Sequence, residues 1–389
     1  LLKGEKLDKK NLILLKKYSS YSKKSLEISI EKLFLNDGSF SQQSCNYHRF
    51  VLDTLIQVEF WRKSLYLDPF SNNFYKKIFY GLFWLKTMVD PISGEAPNLG
   101  SNDGTYCYQL HDENYNDYRP TLALGYAIFK GEFFSQSYKL IEPFFWLKVP
   151  KISKVETISE NKIEVFEDGG YAFLRPNKFS WSFLRIPKNK FRPSQCDPLH
   201  IDLWQNGKNV LRDAGTFSYN SSPLEMHYFG SIKGHNCVQF DGQDPMPKIS
   251  RFLWGNWLNN FSEIFIREDN FKLGISADYK IRNGYHKRTI QYIYKDDLWR
   301  IIDKVSLFKK SATFIWRLYP INWQLIKTKL ISEIGTINFI TKNKINSISL
   351  EKGWESKYYS HKEKVPCIEI CFLSGPINLV TEIKLNNKF

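Results

Sequence analysis

Two histidines and one aspartate lie close together in a stretch with strand-like alternation. His200 and Asp213 fall within "RPSQCDPLHIDLWQNGKNVLRDAGTFSYN", and His235 follows in "KGHNCVQFDG". The spacing from His200 to Asp213 fits one hairpin with a turn at 205–207, so the two side chains can meet across a strand pair. Two imidazoles and a carboxylate suit zinc or another borderline divalent ion. The spacing alone equally allows two structural histidines that bind no metal.

A second group of candidates lies where a loop enters a helix in the first half of the chain. The segment "SQQSCNYHRFVL" places Asn46 and His48 at the predicted start of that helix. An amide and an imidazole can both donate hydrogen bonds to a carboxylate. Asn46 could instead cap the helix, with His48 in its first turn, and both interpretations stay open.

A long polar and aromatic loop over 90–118 holds further candidates. It contains Asn102, Tyr106 and Tyr108, and Arg119 follows it in "NDYRP". Loops of this length on a helical scaffold are usually functional, and the Tyr, Cys and Leu residues argue against disorder. The alternatives are a tight turn at "SNDG" and a helix that begins at the proline of "NDYRP" and leaves the arginine solvated.

The periodicity of the apolar residues changes near residue 150. From about 7 to 148 these residues recur at helical spacing. From there to 389, short alternating runs are separated by Pro, Gly, Asn and Asp, as in the strands of a sandwich. The pattern predicts a helical domain over 1–149 and a β-sandwich domain over 150–389, which is an α+β fold with two domains.

Composition and charge restrict the class of protein and of partner. The chain has 389 residues, and its 11 Trp, 22 Tyr and 30 Phe exclude a disordered chain. A net charge of +15 favours anionic partners such as an acidic glycan, although AT-rich coding also produces a lysine excess. No RNA-binding signature, zinc-finger spacing or basic-helix motif is present, so we expect no nucleic-acid partner. No apolar segment is long enough to span a bilayer, which predicts no membrane insertion.

Several segments, taken in order, resemble the heparinase II/III-like polysaccharide lyases. The matching stretches are "SQQSCNYHRFVL", "PNLGSNDG", "YNDYRP", "RPSQCDPLHIDLWQNGKNVLRDAGTFSYN", "GHNCVQFDGQDPM" and "HKRTIQYIYKDDLWRIIDKV", which run from about 40 to 305. The resemblance implies an incomplete (α/α) toroid followed by an antiparallel β-sandwich, with the active site in the cleft between them. Toroids of the family are normally longer than the predicted helical domain, so we expect this one to be truncated at its N-terminus.

The resemblance also implies a reaction, the β-elimination of a uronic-acid polysaccharide. Such an enzyme must neutralise the uronate carboxylate, remove the proton on carbon 5 and protonate the leaving oxygen on carbon 4. By resemblance, Asn46 and His48 bind the carboxylate. Tyr106 is expected to be the base, the acid or both, with Tyr108 as its nearest substitute. The other expected substrate contacts are Arg119, Asn102 and Tyr108.

Some members of this family bind a structural zinc through two histidines and one aspartate. By motif, the corresponding residues are His200 in "LHIDLW", Asp213 in "RDAGT" and His235 in "GHN". One position departs from several characterised lyases, because Pro198 stands where they carry a catalytic histidine. Either Tyr106 carries out both proton transfers, or another group substitutes, or the chemistry is lost or changed. The candidate substitutes are His286 and His227.

The sequence therefore favours a polysaccharide lyase that acts on an acidic glycan. Two alternatives from other classes stay open: a non-catalytic glycan-binding or polysaccharide-assembly protein on the same fold, and a glycoside hydrolase. A hydrolase needs two carboxylates beside the cleft, for which Asp103 and Glu113 are the obvious loop candidates. The chain starts at Leu1 without a signal peptide, so we expect that a targeting segment has been removed. By analogy with the family, the expected location is periplasmic or secreted.

Overall fold

Helices dominate the first part of the chain in the computed structural model. The structure describes residues 9–135, 142–147, 149, 152, 154–155, 161–259 and 264–386. Its α-helices are α1 Lys9–Leu33, α2 Cys45–Ser64, α3 Asn72–Met88, α4 Arg119–Gly125, α5 Glu142–Trp146 and α6 Pro223–Gly230. The predicted helical spacing of apolar residues corresponds to α1 to α4, and α4 continues as a π-helical turn over Tyr126–Lys130. Within the described residues, no helix combines the length and apolar character needed to cross a membrane.

Strands make up most of the chain beyond residue 160. The strands are β1 Glu132–Phe133, β2 Lys154–Val155, β3 Ile163–Phe166, β4 Tyr171–Asn177, β5 Ser180–Arg185, β6 Ile201–Gln205, β7 Lys208–Leu211, β8 Val238–Phe240, β9 Lys248–Ser250, β10 Leu253–Trp254, β11 Phe265–Glu268, β12 Lys272–Ile281, β13 Gly284–Ile293, β14 Leu298–Ser306, β15 Ala312–Arg317, β16 Gln324–Ile326, β17 Lys329–Ser332, β18 Gly335–Ile340, β19 Ser347–Tyr358, β20 His361–Phe372 and β21 Ile377–Leu385. The predicted change from helix to strand falls at residue 150, which lies outside the described residues.

Three antiparallel sheets build the strand-rich part. Their strand orders are β3-β4-β5-β6-β7, β19-β20-β15-β8 and β11-β12-β13-β14-β21-β18-β17-β16. The five-stranded and four-stranded sheets meet where Leu211 bridges Leu318 and the N–H of Arg212 donates to the carbonyl of Arg317 at 3.1 Å. One apolar core collects inward side chains from all three sheets. The predicted antiparallel sheet domain is therefore confirmed.

The helices share a second core with the five-stranded sheet. This core joins Leu52 and Trp84 of the helices to Phe173, Trp181 and Trp204 of the strands. The indoles of Trp181 and Trp204 stack with ring centroids 5.2 Å apart, and the Trp181 Nε1–H donates to the carboxylate of Asp90 at 2.9 Å. The division at 149/150 stays a prediction, but the parts on its two sides pack against each other over one apolar interior.

The hairpin predicted around His200 is present. Strands β6 and β7 pair in antiparallel register, and the turn between them uses Asn206 and Gly207, both with positive φ (50° and 78°). Asn-Gly is the residue pair that most readily adopts such a tight hairpin turn. His200 directly precedes β6, and Asp213 follows β7, so this turn sets the distance between the two side chains.

Because the helices and the five-stranded sheet share one core, we expect them to unfold together. Replacing Trp181 by alanine leaves a cavity in that core and removes the bond to Asp90, which should lower the free energy of unfolding by about 3–5 kcal/mol. Urea unfolding followed by far-ultraviolet circular dichroism and by tryptophan fluorescence should give one coincident transition, shifted to lower urea in the variant. Two separated transitions in the unaltered protein would contradict the shared core.

Candidate active site and metal-binding cluster

The first turn of α2 carries Asn46 and His48. Ser44 caps this helix, because its side-chain oxygen accepts a hydrogen bond from the N–H of Tyr47 and its hydroxyl donates to the carbonyl of Ser101. The capping role considered for Asn46 therefore belongs to Ser44. Asn46 lies inside the helix, and its side chain is buried.

The amide of Asn46 is oriented by two donors. Its Oδ1 accepts from Arg49 Nη2 and from the hydroxyl of Tyr115, each at 2.7 Å. The Tyr115 hydroxyl also lies 2.8 Å from Oδ1 of Asn102, so the structure brings Asn46 and Asn102 together as predicted site residues. The Nδ2 of Asn46 has no hydrogen-bond partner among the described residues. A fixed amide with an unused donor is suited to bind an anionic group.

Arg49 places a positive charge beside this amide. Its guanidinium lies 4.7, 4.4 and 4.5 Å from the ring centres of Tyr106, Tyr115 and Tyr118, and the side chain is fully buried. No carboxylate of the described residues lies within ion-pair distance of it. Asp53, one helical turn away, is a weak counter-charge, because burial raises its pKa to about 7. The aromatic rings stabilise the cation, and its charge acts on whatever enters the site.

The hydroxyl of Tyr106 forms a hydrogen bond with His111, which was not among the predicted site residues. His111 Nδ1 accepts the N–H of Glu113 at 3.2 Å, so in the neutral ring the proton is on Nε2 and is donated to the Tyr106 oxygen at 2.6 Å. Burial lowers the pKa of His111, which favours this neutral form. Burial raises the pKa of Tyr106 to about 12, whereas the charge of Arg49 opposes the rise.

A second tyrosine, Tyr47, joins the helical part to the sandwich. Its hydroxyl donates to the carboxylate of Asp103 at 2.8 Å and lies 3.1 Å from the hydroxyl of Tyr219. Burial and the hydrogen bonds to Tyr219 and Asp103 raise its pKa, so Tyr47 stays protonated. Tyr47 stands between Asn46 and His48, so its position in the sequence could have made it a candidate site residue. Its neighbour Tyr219 is identified only from the fold.

His48 is far from any position where it could contact a substrate. Its ring is fully buried, stacks on Trp84 with ring centroids 4.3 Å apart, and has its Nε2 2.8 Å from the carbonyl of Gly81. Burial lowers its pKa to about 3. The expected contact with a uronate carboxylate is therefore corrected: His48 is a neutral core residue that ties α2 to α3. The apolar face of α2, which runs through positions 52, 55 and 56, draws it inward.

Two other predicted substrate contacts also change role. The hydroxyl of Tyr108 is buried without a hydrogen-bond partner in the described part of the chain, and its ring packs on the apolar cluster that contains Ile56 and Leu124. The guanidinium of Arg119 binds the carboxylate of Asp117 through Nε (2.9 Å to Oδ1) and Nη2 (2.5 Å to Oδ2). Tyr108 is thus a packing residue. Arg119, used in this ion pair, orders the end of the loop.

The three predicted metal ligands come together beneath the hairpin. One oxygen of Asp213 lies 3.5 Å from Nε2 of His200 and 2.8 Å from Nδ1 of His235. One ligand atom from each residue lies within 4.8 Å of the others, and all three side chains are fully buried. Burial opposes ionisation of Asp213, but the two histidines hold its pKa below the usual value. The cluster could hold a divalent ion, and its two nitrogens and one oxygen fit the ligand preference of zinc.

Neighbouring groups determine the tautomer of His200. The N–H of Asn236 donates to its Nδ1 at 2.9 Å, so in the neutral ring the proton is on Nε2, which lies 2.8 Å from Oδ1 of Asp202. Asp202 is held in turn by the amide of Asn209 at 2.7 Å. An ion can bind Nε2 only when this proton has left that atom, because a metal binds an unprotonated ring nitrogen.

The two histidines considered as substitutes for a histidine at position 198 differ in their exposure to solvent. His286 is fully buried in the sandwich, with Nε2 2.7 Å from Asp303, so it cannot serve a substrate. His227 is half-exposed on α6, and its Nε2 lies 3.4 Å from Asp244. Pro198 itself contributes only its carbonyl, which accepts from the thiol of Cys237 at 3.3 Å. The imidazole that contacts a candidate tyrosine is instead His111, on the helical side.

A family model for the C-terminal domain of heparinase II/III-like proteins matches residues 159–372, which is more than half of the chain. The chain belongs to the heparinase II/III-like family. The match covers strands β3 to β20 and the cluster of His200, Asp213 and His235, so the resemblance drawn from the sequence motifs is confirmed. No curated protein sequence matches the chain.

Solved structures of heparinases share the fold. A crystal structure of heparinase III matches 96% of this chain and 58% of its own length, at 14% identity and a TM-score of 0.73. Heparan sulfate lyase HepC from Pedobacter heparinus matches 94% of this chain and 55% of its own length, at 16% identity and a TM-score of 0.70. The heparinase II/III-like chain therefore spans little more than half the length of these structures, and at such identities the likeness concerns the fold.

The burial of His48 predicts a dependence of stability on pH. The folded protein keeps His48 neutral down to about pH 3, whereas the unfolded chain takes up a proton below about pH 6.5. Between pH 7 and pH 5 the unfolded state is therefore favoured, by about 2 kcal/mol from this residue. Urea midpoints at both pH values should show that His48→Gln loses less stability on acidification than the unaltered protein does. An equal loss in both proteins would contradict this assignment.

Proposed function

We propose that the protein is a polysaccharide lyase that cleaves an acidic, uronate-containing glycan by β-elimination. The observation that carries the proposal is the amide of Asn46, which Arg49 and Tyr115 hold through Oδ1 and whose buried Nδ2 has no hydrogen-bond partner among the described residues. Membership of the heparinase II/III-like family supports it. The solved neighbours include a protein described as a heparan sulfate lyase.

Neutralisation of the uronate carboxylate is the first requirement of this reaction. The proton on carbon 5 is weakly acidic, and it becomes easier to remove when the neighbouring carboxylate accepts hydrogen bonds from fixed donors. Nδ2 of Asn46 supplies one such donor. Asn102 and Tyr115 complete the polar wall, and Arg49 favours the negative charge that develops as the proton leaves.

The hydrogen bonds of two tyrosines differ, although burial raises the pKa of both hydroxyls. Tyr106 faces Arg49 and accepts a hydrogen bond from His111, and both contacts stabilise a tyrosinate. In our proposal Tyr106 is the base that removes the proton from carbon 5. Tyr47 donates to Asp103, which stabilises its protonated form, and we assign to it the transfer of a proton to the oxygen on carbon 4. This assignment of Tyr106 as base and Tyr47 as acid does not require a histidine at position 198.

The surface beside Tyr47 favours an anionic substrate. A pocket next to Tyr219 is lined by Lys248 and Arg251 together with Ser101 and Thr216. Basic side chains over a polar floor suit the carboxylates or sulfates of an acidic glycan. We therefore extend the proposed substrate contacts from the helical side to this wall of the sandwich.

The metal-binding cluster completes the proposal. We propose that His200, Asp213 and His235 hold a structural zinc ion. When bound, the ion would crosslink the hairpin β6–β7 to the segment before β8 and so brace one wall of the site. The cluster is close to the loop, since one pocket is lined by both Asp213 and Asn102.

Two further features of the proposal rest on the family. We propose that α1 to α4 form part of an incomplete (α/α) toroid, supported by the match of solved heparinase structures to more than nine-tenths of this chain. A periplasmic or secreted location is proposed by analogy with other members.

The proposed lyase reaction creates a double bond between carbons 4 and 5 of the new chain end, which absorbs ultraviolet light. Among a set of uronate-containing polysaccharides, at least one should give this absorbance. Tyr106→Phe and Tyr47→Phe should each lower kcat by about 100-fold or more, because each removes a proton-transfer group. Activity should rise with pH above neutrality, since the high pKa of Tyr106 leaves little tyrosinate at pH 7.

Tyr108→Phe is the matched control, because the Tyr108 hydroxyl faces the core and has no partner there. This variant should keep its activity. Full activity of Tyr106→Phe would refute its role as base. Glycan binding without absorbance on any substrate would point to a binding protein, and new reducing ends without absorbance would point to a hydrolase.

Elemental analysis of the purified protein tests the zinc proposal. We expect about one zinc ion per chain, lost in His235→Ala because two ligands do not hold a structural zinc. His361→Ala serves as the control, since His361 lies exposed on β20 and far from the cluster in sequence. Zinc that is absent from the unaltered protein, or retained by His235→Ala, would refute the site.

A further inference from the structure

Arg288 is a fully buried cation in the sandwich, on strand β13. It lies directly opposite Asp303 of β14, which is also fully buried. Arg288 Nε donates to Asp303 Oδ1 at 2.7 Å and Nη2 donates to Oδ2 at 3.3 Å. The guanidinium lies 4.8 Å from the ring centre of Trp316. The carboxylate neutralises the arginine and fixes the direction of its remaining N–H groups.

The free end of this guanidinium contacts both segments that carry the histidines of the cluster. Arg288 Nη1 donates to the carbonyl of Leu199 at 2.6 Å and to the carbonyl of Asn236 at 2.5 Å. Leu199 directly precedes His200, and Asn236 directly follows His235. One nitrogen thus ties together two chain segments that are separated by the whole hairpin β6–β7 and by α6.

The two carbonyls matter because their residues control the histidine rings. The N–H of Asn236 donates to Nδ1 of His200, so the position of Asn236 sets the orientation of that ring. Leu199 has a positive φ of 57°, a conformation that costs energy in a residue with a β-carbon and needs support from its surroundings. The bond from Arg288 to the Leu199 carbonyl supplies part of that support.

We propose that Arg288, held by Asp303, is a positioning residue of the metal-binding cluster: it fixes the segments of His200 and His235 at the separation that one ion requires. It contacts neither the ion nor a substrate and acts through the backbone of Leu199 and Asn236. A lysine cannot replace it, because one ammonium nitrogen does not span a carboxylate and two carbonyls as the planar fork of arginine does. This inference rests on the metal site of the proposed function.

A purely structural role would have a different effect from a positioning role. Loss of a core contact lowers the stability of the whole sandwich and leaves the affinity for metal unchanged in the protein that remains folded. Loss of a positioning contact weakens metal binding, typically by about 10–100-fold for groups that orient ligands. Ile290 is a suitable core reference, because it is fully buried on the same face of β13, two residues from Arg288.

The experiment measures the affinity of the metal-free protein for zinc by competition with a chromogenic chelator. It is combined with the absorption spectrum of the cobalt(II) form, which reports the geometry of the ligands. Arg288→Lys should bind zinc about 10–100-fold more weakly and give an altered cobalt spectrum. Ile290→Ala should melt at a lower temperature but keep the affinity and the spectrum. Asp303→Asn removes the charge that holds Arg288 and should weaken zinc binding to a similar extent. This variant replaces Arg288→Lys in the experiment if Arg288→Lys does not fold.

The outcomes separate this inference from the metal proposal. If the unaltered protein binds neither zinc nor cobalt(II), the metal site is refuted and the positioning role with it. If the unaltered protein binds both ions and Arg288→Lys and Asp303→Asn bind them equally well, only the positioning role is overturned. If Ile290→Ala loses as much affinity as Arg288→Lys, the effect is general destabilisation, and the inference is again overturned.

Discussion

The buried guanidinium of Arg49 is the constraint around which the candidate active site is organised. Burial of a charge costs several kcal/mol unless other groups compensate for it. Here the compensation comes from Oδ1 of Asn46, the carbonyl of Tyr115 and the faces of three tyrosine rings. These contacts hold the loop over 90–118 against α2.

The rest of the fold keeps this site in place from the other side. Thr216 bonds to the loop at the N–H of Asn102 and at the carbonyl of Gly100, and Gln195 accepts the N–H of Gly100. Thr216 follows Asp213 by three residues, so the chain segment that carries Asp213 also forms hydrogen bonds with the loop that carries Asn102.

The sequence predicted the parts of this protein that depend on local pattern. The alternation around 200–213 and the Asn-Gly turn were sufficient to predict the hairpin and the meeting of His200 with Asp213, and the motifs predicted the family. The side chains that bond across distant segments could not be predicted in this way. His111 and Tyr219 became site residues only because the fold brings them to Tyr106 and Tyr47.

The predicted roles of single side chains were wrong where burial or an ion pair determines the role. His48 has the residue type of a carboxylate ligand, but the apolar face of α2 turns it into the core beside Trp84. Arg119 has the charge to grip a substrate, but Asp117, two residues earlier, already occupies its fork. The spacing of residues does not predict either contact, because each contact depends on which residues the fold places next to the side chain.

Arg49 and Arg288 show how the same side chain serves two purposes. Both are fully buried and both lie over aromatic rings, but Arg288 has the carboxylate of Asp303 opposite it, whereas Arg49 has no such partner among the described residues. A neutralised guanidinium can only donate hydrogen bonds, which suits the positioning role that we propose for Arg288. An unneutralised one keeps its attraction for anions. We propose that the anion attracted by Arg49 is the carboxylate of the substrate, and that the amide of Asn46 orients this carboxylate.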